Sequence, residues 1–262
     1  MKKEKPTIFW RGLTWNVEQY KQFSLLTLPH QEERYYSQSK RIADQYLPAY
    51  NLIKNLQILP TPKFQIALFP EESFVEKTQV PFKWATQCIR SNKLCCKYHD
   101  SNAPGFDNLS DERKRGVIHE ATHIFLNTAL KGRSRSFSEG FCELVPRLLI
   151  LPPIKSYLDF LSSLKESDLP SFKQMDRKGI STFSQEGVEK NPGYASTFLG
   201  VTWLAHQFTK GGDYIQGTKK LLDFINKKPE GLYKKIKEKT NVDLENTVQA
   251  QLIALKLLLE RK

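Results

Sequence analysis

Two histidines lie four residues apart in the stretch RGVIHEATHIFLN, residues 115–127, and a glutamate directly follows the first of them. Residues at i and i+4 share one face of a helix, so His119 and His123 can direct imidazole nitrogens at one metal ion. Glu120 lies at the edge of that face, where its carboxylate can take a proton from a metal-bound water. Zinc suits two imidazoles and a carboxylate with a fourth position left open, and it lowers the pKa of its bound water to about 7. The spacing therefore indicates hydrolytic zinc chemistry.

Apolar side chains occupy the neighbouring faces of this predicted helix: Val117, Ile118, Ala121, Ile124 and Phe125. Such a helix is buried, and buried histidine and glutamate side chains cost free energy unless something pairs with them. The alternative is a helix that contains two histidines by chance. The apolar surroundings favour the metal site.

A third protein ligand is expected from the stretch SFSEGFCELVPRLL, residues 136–149. Ser136 or Ser138 can cap a helix here, with Glu139 in its first turn and Glu143 on the same face at i+4. One carboxylate of such a pair can bind the metal while the other orients a histidine ligand through its second ring nitrogen. His99 and His206 lie in no recognisable metal-binding pattern.

HEATH followed by FSEGFCE resembles the pattern of the gluzincin metallopeptidases, in particular the peptidase MA-like group. The resemblance implies one zinc ion per chain with His119, His123 and Glu139 as ligands, Glu120 as general base, and Glu143 as the carboxylate that orients a ligand. It also implies a zincin-like fold, in which a β-hairpin before the motif helix supplies an edge strand that holds an extended peptide. Fifteen residues separate His123 from Glu139, fewer than in the aminopeptidases, so Glu143 stays an alternative ligand. No exopeptidase motif is found, and an endopeptidase is expected.

The same family often carries a tyrosine or histidine that donates a hydrogen bond to the tetrahedral oxyanion. Tyr194, at the start of YASTFLGVTWLAHQF, occupies a comparable place, and His206 is the alternative donor. A purely structural reading places Tyr194 in a core stripe with Phe198, Val201 and Leu204.

The elements that must position these residues follow from hydrophobic periodicity and from capping and turn residues. A helix is predicted over 31–56 with a kink at Pro48, a strand over 63–70, and two strands within 84–100 around a Ser91–Asn92 turn. The motif helix is predicted over 109–130, capped by Ser110 and ended by Gly132. Further helices are predicted over 138–150, 155–165, 194–209, 214–227 and 243–261. The polar segment 171–193 is predicted to be a long loop, and loops of that length usually serve a purpose such as covering a cleft.

These elements predict an α+β fold with two sub-domains. Residues 1–132 would form a small mixed sheet with the motif helix, and residues 133–262 a mainly helical sub-domain that carries the third ligand. The active site is expected in a cleft between them.

Composition narrows the functional classes. The chain has 262 residues and a net charge of +12, without a run long enough to span a bilayer and without a recognisable signal peptide. The chain has four cysteines, two of them adjacent (Cys95 and Cys96), and this pattern does not indicate a disulfide framework. A second zinc site is not expected either, because the usual ligand spacing is missing among Cys88, Cys95, Cys96 and His99. Buried free thiols are expected instead. A cytoplasmic location is therefore expected.

The expected partner is a peptide or protein substrate. The basic charge also admits a nucleic-acid-associated protease, although the densest basic run, 227–240, lacks interleaved aromatic residues and favours a solvated surface. The other alternative is a non-catalytic zinc-bearing module that binds peptides or partners. The presence of Glu120 favours the peptidase, because zinc binding alone does not need that carboxylate.

Overall fold

The protein is described from a computed structural model. The described residues are 6–29, 32–55, 64–80, 87–90, 93–97, 111–126, 134–150, 155–180, 191–209, 213–227 and 230–260. Backbone packing divides the chain into two compact units, Met1–Asn51 with Pro60–Phe125 and Leu52–Leu59 with Leu126–Lys262. The predicted boundary between residues 132 and 133 lies outside the described residues.

The first unit contains a mixed six-stranded sheet. Its strands are β1 (Thr7–Trp10), β2 (Leu13–Tyr20), β3 (Phe23–Thr27), β4 (Phe64–Phe69), β5 (Gln87–Arg90) and β6 (Lys93–Lys97). Their order is β1-β2-β3-β4-β6-β5, in which β3, β4 and β6 run parallel and the other pairs are antiparallel. β5 therefore forms one edge of the sheet as the outer half of a hairpin with β6.

The centre of this sheet is apolar because its strands are covered on both faces. Every residue of β3 is buried, and Ile66, Ala67, Leu68 and Phe69 of β4 are buried as well. Trp15 and Phe69 pack edge to face with ring centroids 4.8 Å apart. Gly12, with φ +72°, makes the turn between β1 and β2, a left-handed conformation that favours glycine.

Within the ranges described above, three helices accompany the sheet: α1 (Glu32–Asn55), α2 (Glu71–Thr78) and α3 (Asp111–Leu126). The predictions of a helix over 31–56, a strand over 63–70 and two strands within 84–100 are confirmed. Pro48 lies inside α1. The motif helix is confirmed as α3, whereas Ser110, Gly132 and the Ser91–Asn92 turn lie outside the described residues.

The second unit is helical in its described residues. It contains α4 (Arg135–Leu144), which continues into a π-helical stretch Val145–Ile150, then α5 (Lys155–Ser163) and a 3₁₀ turn Glu166–Asp168. α6 (Phe172–Lys178), α7 (Pro192–Gln207), α8 (Tyr214–Lys227), α9 (Leu232–Thr240) and α10 (Gln249–Leu259) follow. α4, α8 and α10 all pack against α7, most of which is buried. The helices predicted over 155–165, 194–209 and 214–227 are confirmed.

Three expectations for this unit are wrong. The cap of α4 is Ser134, whose hydroxyl accepts a hydrogen bond from the Phe137 amide, because the amide and hydroxyl of Ser136 bond to Asp176 instead. Glu139 is therefore the fifth residue of α4 and lies beyond its first turn. The segment 171–193 is not all loop, since Ser171 and Gln174 form a capping box that starts α6. The last helix begins at Gln249 rather than at 243, after a turn in which the Asp243 carboxylate accepts the Asn246 amide.

The predicted α+β class is confirmed: a mixed sheet is followed by a mostly helical remainder. None of the helices in the described ranges combines the length and the apolar character that crossing a bilayer requires.

Candidate metal centre

The two histidines of α3 converge. The Nε2 atoms of His119 and His123 lie 3.2 Å apart, and their rings meet at 75° with centroids separated by 4.9 Å. Two nitrogens bound tetrahedrally at about 2.0–2.1 Å from one zinc ion lie about 3.3–3.4 Å apart. The spacing of the two Nε2 atoms therefore fits a shared metal ion with little rearrangement of α3.

Glu139 completes a set of three side chains that could hold a metal ion. One donor atom each from His119, His123 and Glu139 can be chosen so that no two lie more than 4.8 Å apart. No second cluster of three histidine, cysteine or acidic donors at such spacing occurs within the described ranges. Separations up to 4.8 Å are wider than the tetrahedral spacing, and rotation of side chains can close them. Two imidazoles and a carboxylate are a donor set that zinc accepts.

Arg135 balances the charge of the Glu139 carboxylate. Its Nε lies 3.7 Å from Glu139 Oε1, one helical turn before it. The Arg135 side chain is 59% exposed and that of Glu139 only 9% exposed. The carboxylate is thus buried beside a solvated guanidinium. The i,i+4 spacing was visible in the sequence, but Arg135 was not among the predicted site residues.

Glu120, the predicted general base, is half-buried on α3. Its charge reaches two buried groups of the same unit, the Tyr46 hydroxyl on α1 and the Cys96 thiol on β6. Burial raises the pKa of Tyr46 and of Cys96 well above the usual values, and the negative charge of Glu120 raises both further. Both groups therefore stay protonated and neutral at physiological pH beside the carboxylate. Tyr46 precedes Glu120 by 74 residues, so no local pattern connects the two in the sequence.

Glu143, one turn beyond Glu139, forms a buried ion pair. Arg147 Nε lies 2.5 Å from Glu143 Oε2, and the two side chains are only 6% and 4% exposed. The Arg147 guanidinium also lies over the Tyr157 ring, 4.1 Å from its centroid. The proposed role of Glu143 in orienting a histidine stays a prediction. Arg147, in the π-helical stretch, is a partner that the i,i+4 spacing of the sequence could have identified.

Tyr194 and His206 occupy opposite ends of α7. Tyr194 is half-buried near the start of the helix and packs against the core of the second unit, which also contains Phe198, Val201 and Leu204. His206 lies in the last turn, with its ring centroid 6.2 Å from that of Tyr214. The core stripe is therefore real, and an oxyanion-binding role for either residue stays a prediction.

The cysteines of the hairpin are buried and carry free thiols. Cys88 and Cys95 face each other across β5 and β6. The hydrogen bond that the Cys95 thiol makes to Cys88, together with burial, raises the pKa of Cys95 far above its usual value. The Cys95 thiol is thus held in the protonated form. His99 lies outside the described residues.

Lysines of the basic run 227–240 have partners within the chain. Lys237 Nζ lies 3.0 Å from Asp243 Oδ2, and Lys239 Nζ lies 4.9 Å above the Phe208 ring. Lys234 is 3.9 Å from Glu238 on the exposed face of α9. Association with nucleic acid stays a prediction.

Comparison with protein-family models, with curated proteins and with solved structures found no match to this chain.

Proposed function

We propose that this protein is a zinc-dependent metallopeptidase of the gluzincin type, with a zincin-like arrangement of its α+β fold, and that it acts as an endopeptidase. The observation that supports the proposal most strongly is the convergence of His119, His123 and Glu139. These are the three residues that the resemblance of HEATH and FSEGFCE to the gluzincin pattern implies as ligands. His119 and His123 lie side by side because residues four apart share one face of a helix. Glu139 belongs to another helix, so its approach to them is independent of that spacing.

In the proposed site His119, His123 and Glu139 hold the ion, and Glu120 stays outside the ligand set. The bound ion would polarise the substrate carbonyl and lower the pKa of water to about 7. Glu120 would accept the proton of the attacking water and transfer it to the leaving amine, as a general base and then a general acid. Tyr46 and Cys96 are buried nearby and keep their own protons, so neither would act as a base that competes with Glu120.

An extended peptide would bind along β5. This strand lies at the edge of the sheet, where an added strand can take up main-chain hydrogen bonds. Binding through main-chain groups suits an endopeptidase, because it needs neither chain terminus of the substrate.

The test is metal content together with proteolysis. Purified protein should contain about one zinc per chain by inductively coupled plasma mass spectrometry, and it should cleave casein or a quenched peptide library. A chelator should abolish cleavage, and added zinc should restore it. His119→Ala should remove stoichiometric zinc; if it does not, the ligand set is wrong.

Glu120→Gln separates catalysis from metal binding. The variant should keep zinc and its melting temperature and lose nearly all cleavage, because the amide cannot accept the proton. Glu76→Gln is the matched control, since this carboxylate lies in the same unit, is 73% exposed and contacts Lys77. Unchanged cleavage by Glu120→Gln would refute the peptidase mechanism.

A further inference from the structure

The start of α4 is held by a carboxylate from another helix. Asp176 Oδ1 accepts hydrogen bonds from the Ser136 amide at 2.9 Å and from the Ser136 hydroxyl at 2.7 Å. Ser134 Oγ accepts the next helical amide, that of Phe137. A carboxylate at this end also complements the positive pole of the helix dipole. Asp176 on α6 therefore fixes the position of the first turn of α4.

Tyr233 of α9 locks this arrangement. Its hydroxyl is hydrogen-bonded to both Asp176 Oδ2, at 2.9 Å, and Ser134 Oγ, at 2.7 Å. Burial raises the pKa of Tyr233 above its usual range, so the hydroxyl keeps the single proton that it can donate to one of these partners. Its ring packs on those of Phe137 and Phe172, with centroids 5.4 and 6.4 Å away. Three helices thus meet at the beginning of α4.

α4 is also fixed on the other side of Glu139. A Cβ atom placed on Gly140 would lie 2.6 Å from the backbone carbonyl oxygen of Thr197, so the backbone of α4 is pressed against α7. Glu139 lies between this contact and Ser136. The Cα position of Glu139 is consequently fixed on both sides, by Asp176 before it and by α7 after it.

We infer that Asp176 is a positioning residue for the Glu139 carboxylate. The inference rests on the proposed function, in which Glu139 is a metal ligand. A ligand atom must reach its place within a few tenths of an ångström, and a helix whose first turn is unanchored cannot hold a side chain five residues from its cap to that tolerance. The segment 171–193, in the part that forms α6, thereby has a role beyond connecting two helices.

Cobalt(II) binding to the chelator-treated protein tests this role. Co²⁺ replaces zinc in such sites, and its visible absorption reports the coordination geometry directly. Asp176→Ala should bind Co²⁺ about 10–100-fold more weakly than the wild type, as is usual when a group that supports a ligand is lost. Its cobalt spectrum should also change in shape or intensity. Asp176→Asn keeps an oxygen that can accept both Ser136 bonds, so it should restore most of the affinity and the wild-type spectrum.

Asp213→Ala is the matched control. The Asp213 carboxylate accepts the Gln216 amide at 3.0 Å at the start of α8, the same type of contact on a helix that carries no proposed ligand. Because Asp176 and Asp213 are both exposed residues, neither change opens a cavity in the core. Asp213→Ala should therefore alter stability slightly and leave the cobalt affinity and spectrum unchanged.

The outcomes separate this inference from the proposed function. If Asp176→Ala binds Co²⁺ like the wild type with the same spectrum, or if both alanine variants lose affinity equally, Asp176 does not position Glu139. Stoichiometric Co²⁺ binding with the expected variant pattern but without peptide cleavage would support the inference and refute the peptidase. A wild-type chain that binds no Co²⁺ would overturn both.

Discussion

Replacement of Glu143 by alanine should destabilise the protein severely, because it would leave the Arg147 guanidinium buried without its carboxylate. The two side chains are 4% and 6% exposed and their atoms are 2.5 Å apart, so solvent screens the pair little. Removal of one partner from a buried ion pair costs about 3–5 kcal/mol. The Tyr157 ring, 4.1 Å from the guanidinium, still stabilises the cation by about 2 kcal/mol after the carboxylate is removed. We therefore expect the lower half of the range, about 3–4 kcal/mol.

A double replacement separates the net contribution of the ion pair to stability from the cost of leaving one of its charges unpaired. Glu143→Leu with Arg147→Met removes both charges and keeps apolar volume, and such exchanges are often neutral or stabilising. The double variant should thus be more stable than Glu143→Ala by at least about 2 kcal/mol. Arg147→Met alone should be destabilised as well, because it leaves a buried carboxylate.

Thermal and urea unfolding of the chelator-treated proteins measure these differences without any contribution from bound metal. At about 2–4 °C per kcal/mol for chains of this size, Glu143→Ala should melt about 6–16 °C below the wild type. The exposed pair Lys234–Glu238 provides the control, since Glu238→Ala should change stability by less than about 1 kcal/mol. The single variant Glu143→Leu completes the cycle with Arg147→Met and the double variant. If these changes are additive, with no coupling between Glu143 and Arg147, the argument from burial is wrong.

Three further outcomes are expected. Glu139→Ala should abolish zinc binding, whereas Glu143→Ala should weaken it about 10–100-fold when both variants are compared at a temperature where they are folded. Competition with a fluorescent chelator measures both affinities, and the reverse ranking would exchange the roles of the two carboxylates. Gly140→Ala should cost about 1–3 kcal/mol in urea unfolding, because the added methyl group would lie 2.6 Å from the Thr197 carbonyl oxygen; an unchanged midpoint would contradict the close approach of α4 to α7. Tyr194→Phe should lower turnover about 10²–10³-fold with unchanged zinc content if the hydroxyl binds the oxyanion, and should change only stability if it serves the core.

The parts of the site that lie within one helix could be predicted from the sequence. His119 and His123 converge because residues at i and i+4 of a helix always share a face. The same rule would have identified the pairs of Arg135 with Glu139 and of Glu143 with Arg147. Asp176 could not be found in this way, because it lies 40 positions after Ser136 and only tertiary packing brings them together.

The fold was predictable to a similar depth. Long periodic segments such as α1 and α8 have nearly the predicted ends. α6 was missed because it is short and carries only Phe172 and Met175 as buried residues, although the sequence Ser171-Phe-Lys-Gln174 has the form of a capping box. The strands β1, β2 and β3 were not predicted either; β3 is buried throughout and so lacks the alternation that marks a strand with one solvated face.

The charges along α4 and the π-helical stretch that continues it give a physical reason for proposing Glu139 rather than Glu143 as the ligand. Arg135, Glu139, Glu143 and Arg147 follow one another at intervals of four residues, so that each carboxylate has a guanidinium on its outer side. The Arg135–Glu139 pair at the start of the helix is loose. Its atoms are 3.7 Å apart and Arg135 is 59% exposed, so the guanidinium can turn into solvent at little cost. The Glu143–Arg147 pair is tight and buried. If Arg147 moved away, the Glu143 carboxylate would be left as an uncompensated buried charge. A carboxylate whose cation can turn into solvent is more easily directed at a metal ion than one held in a buried ion pair, and this difference favours Glu139.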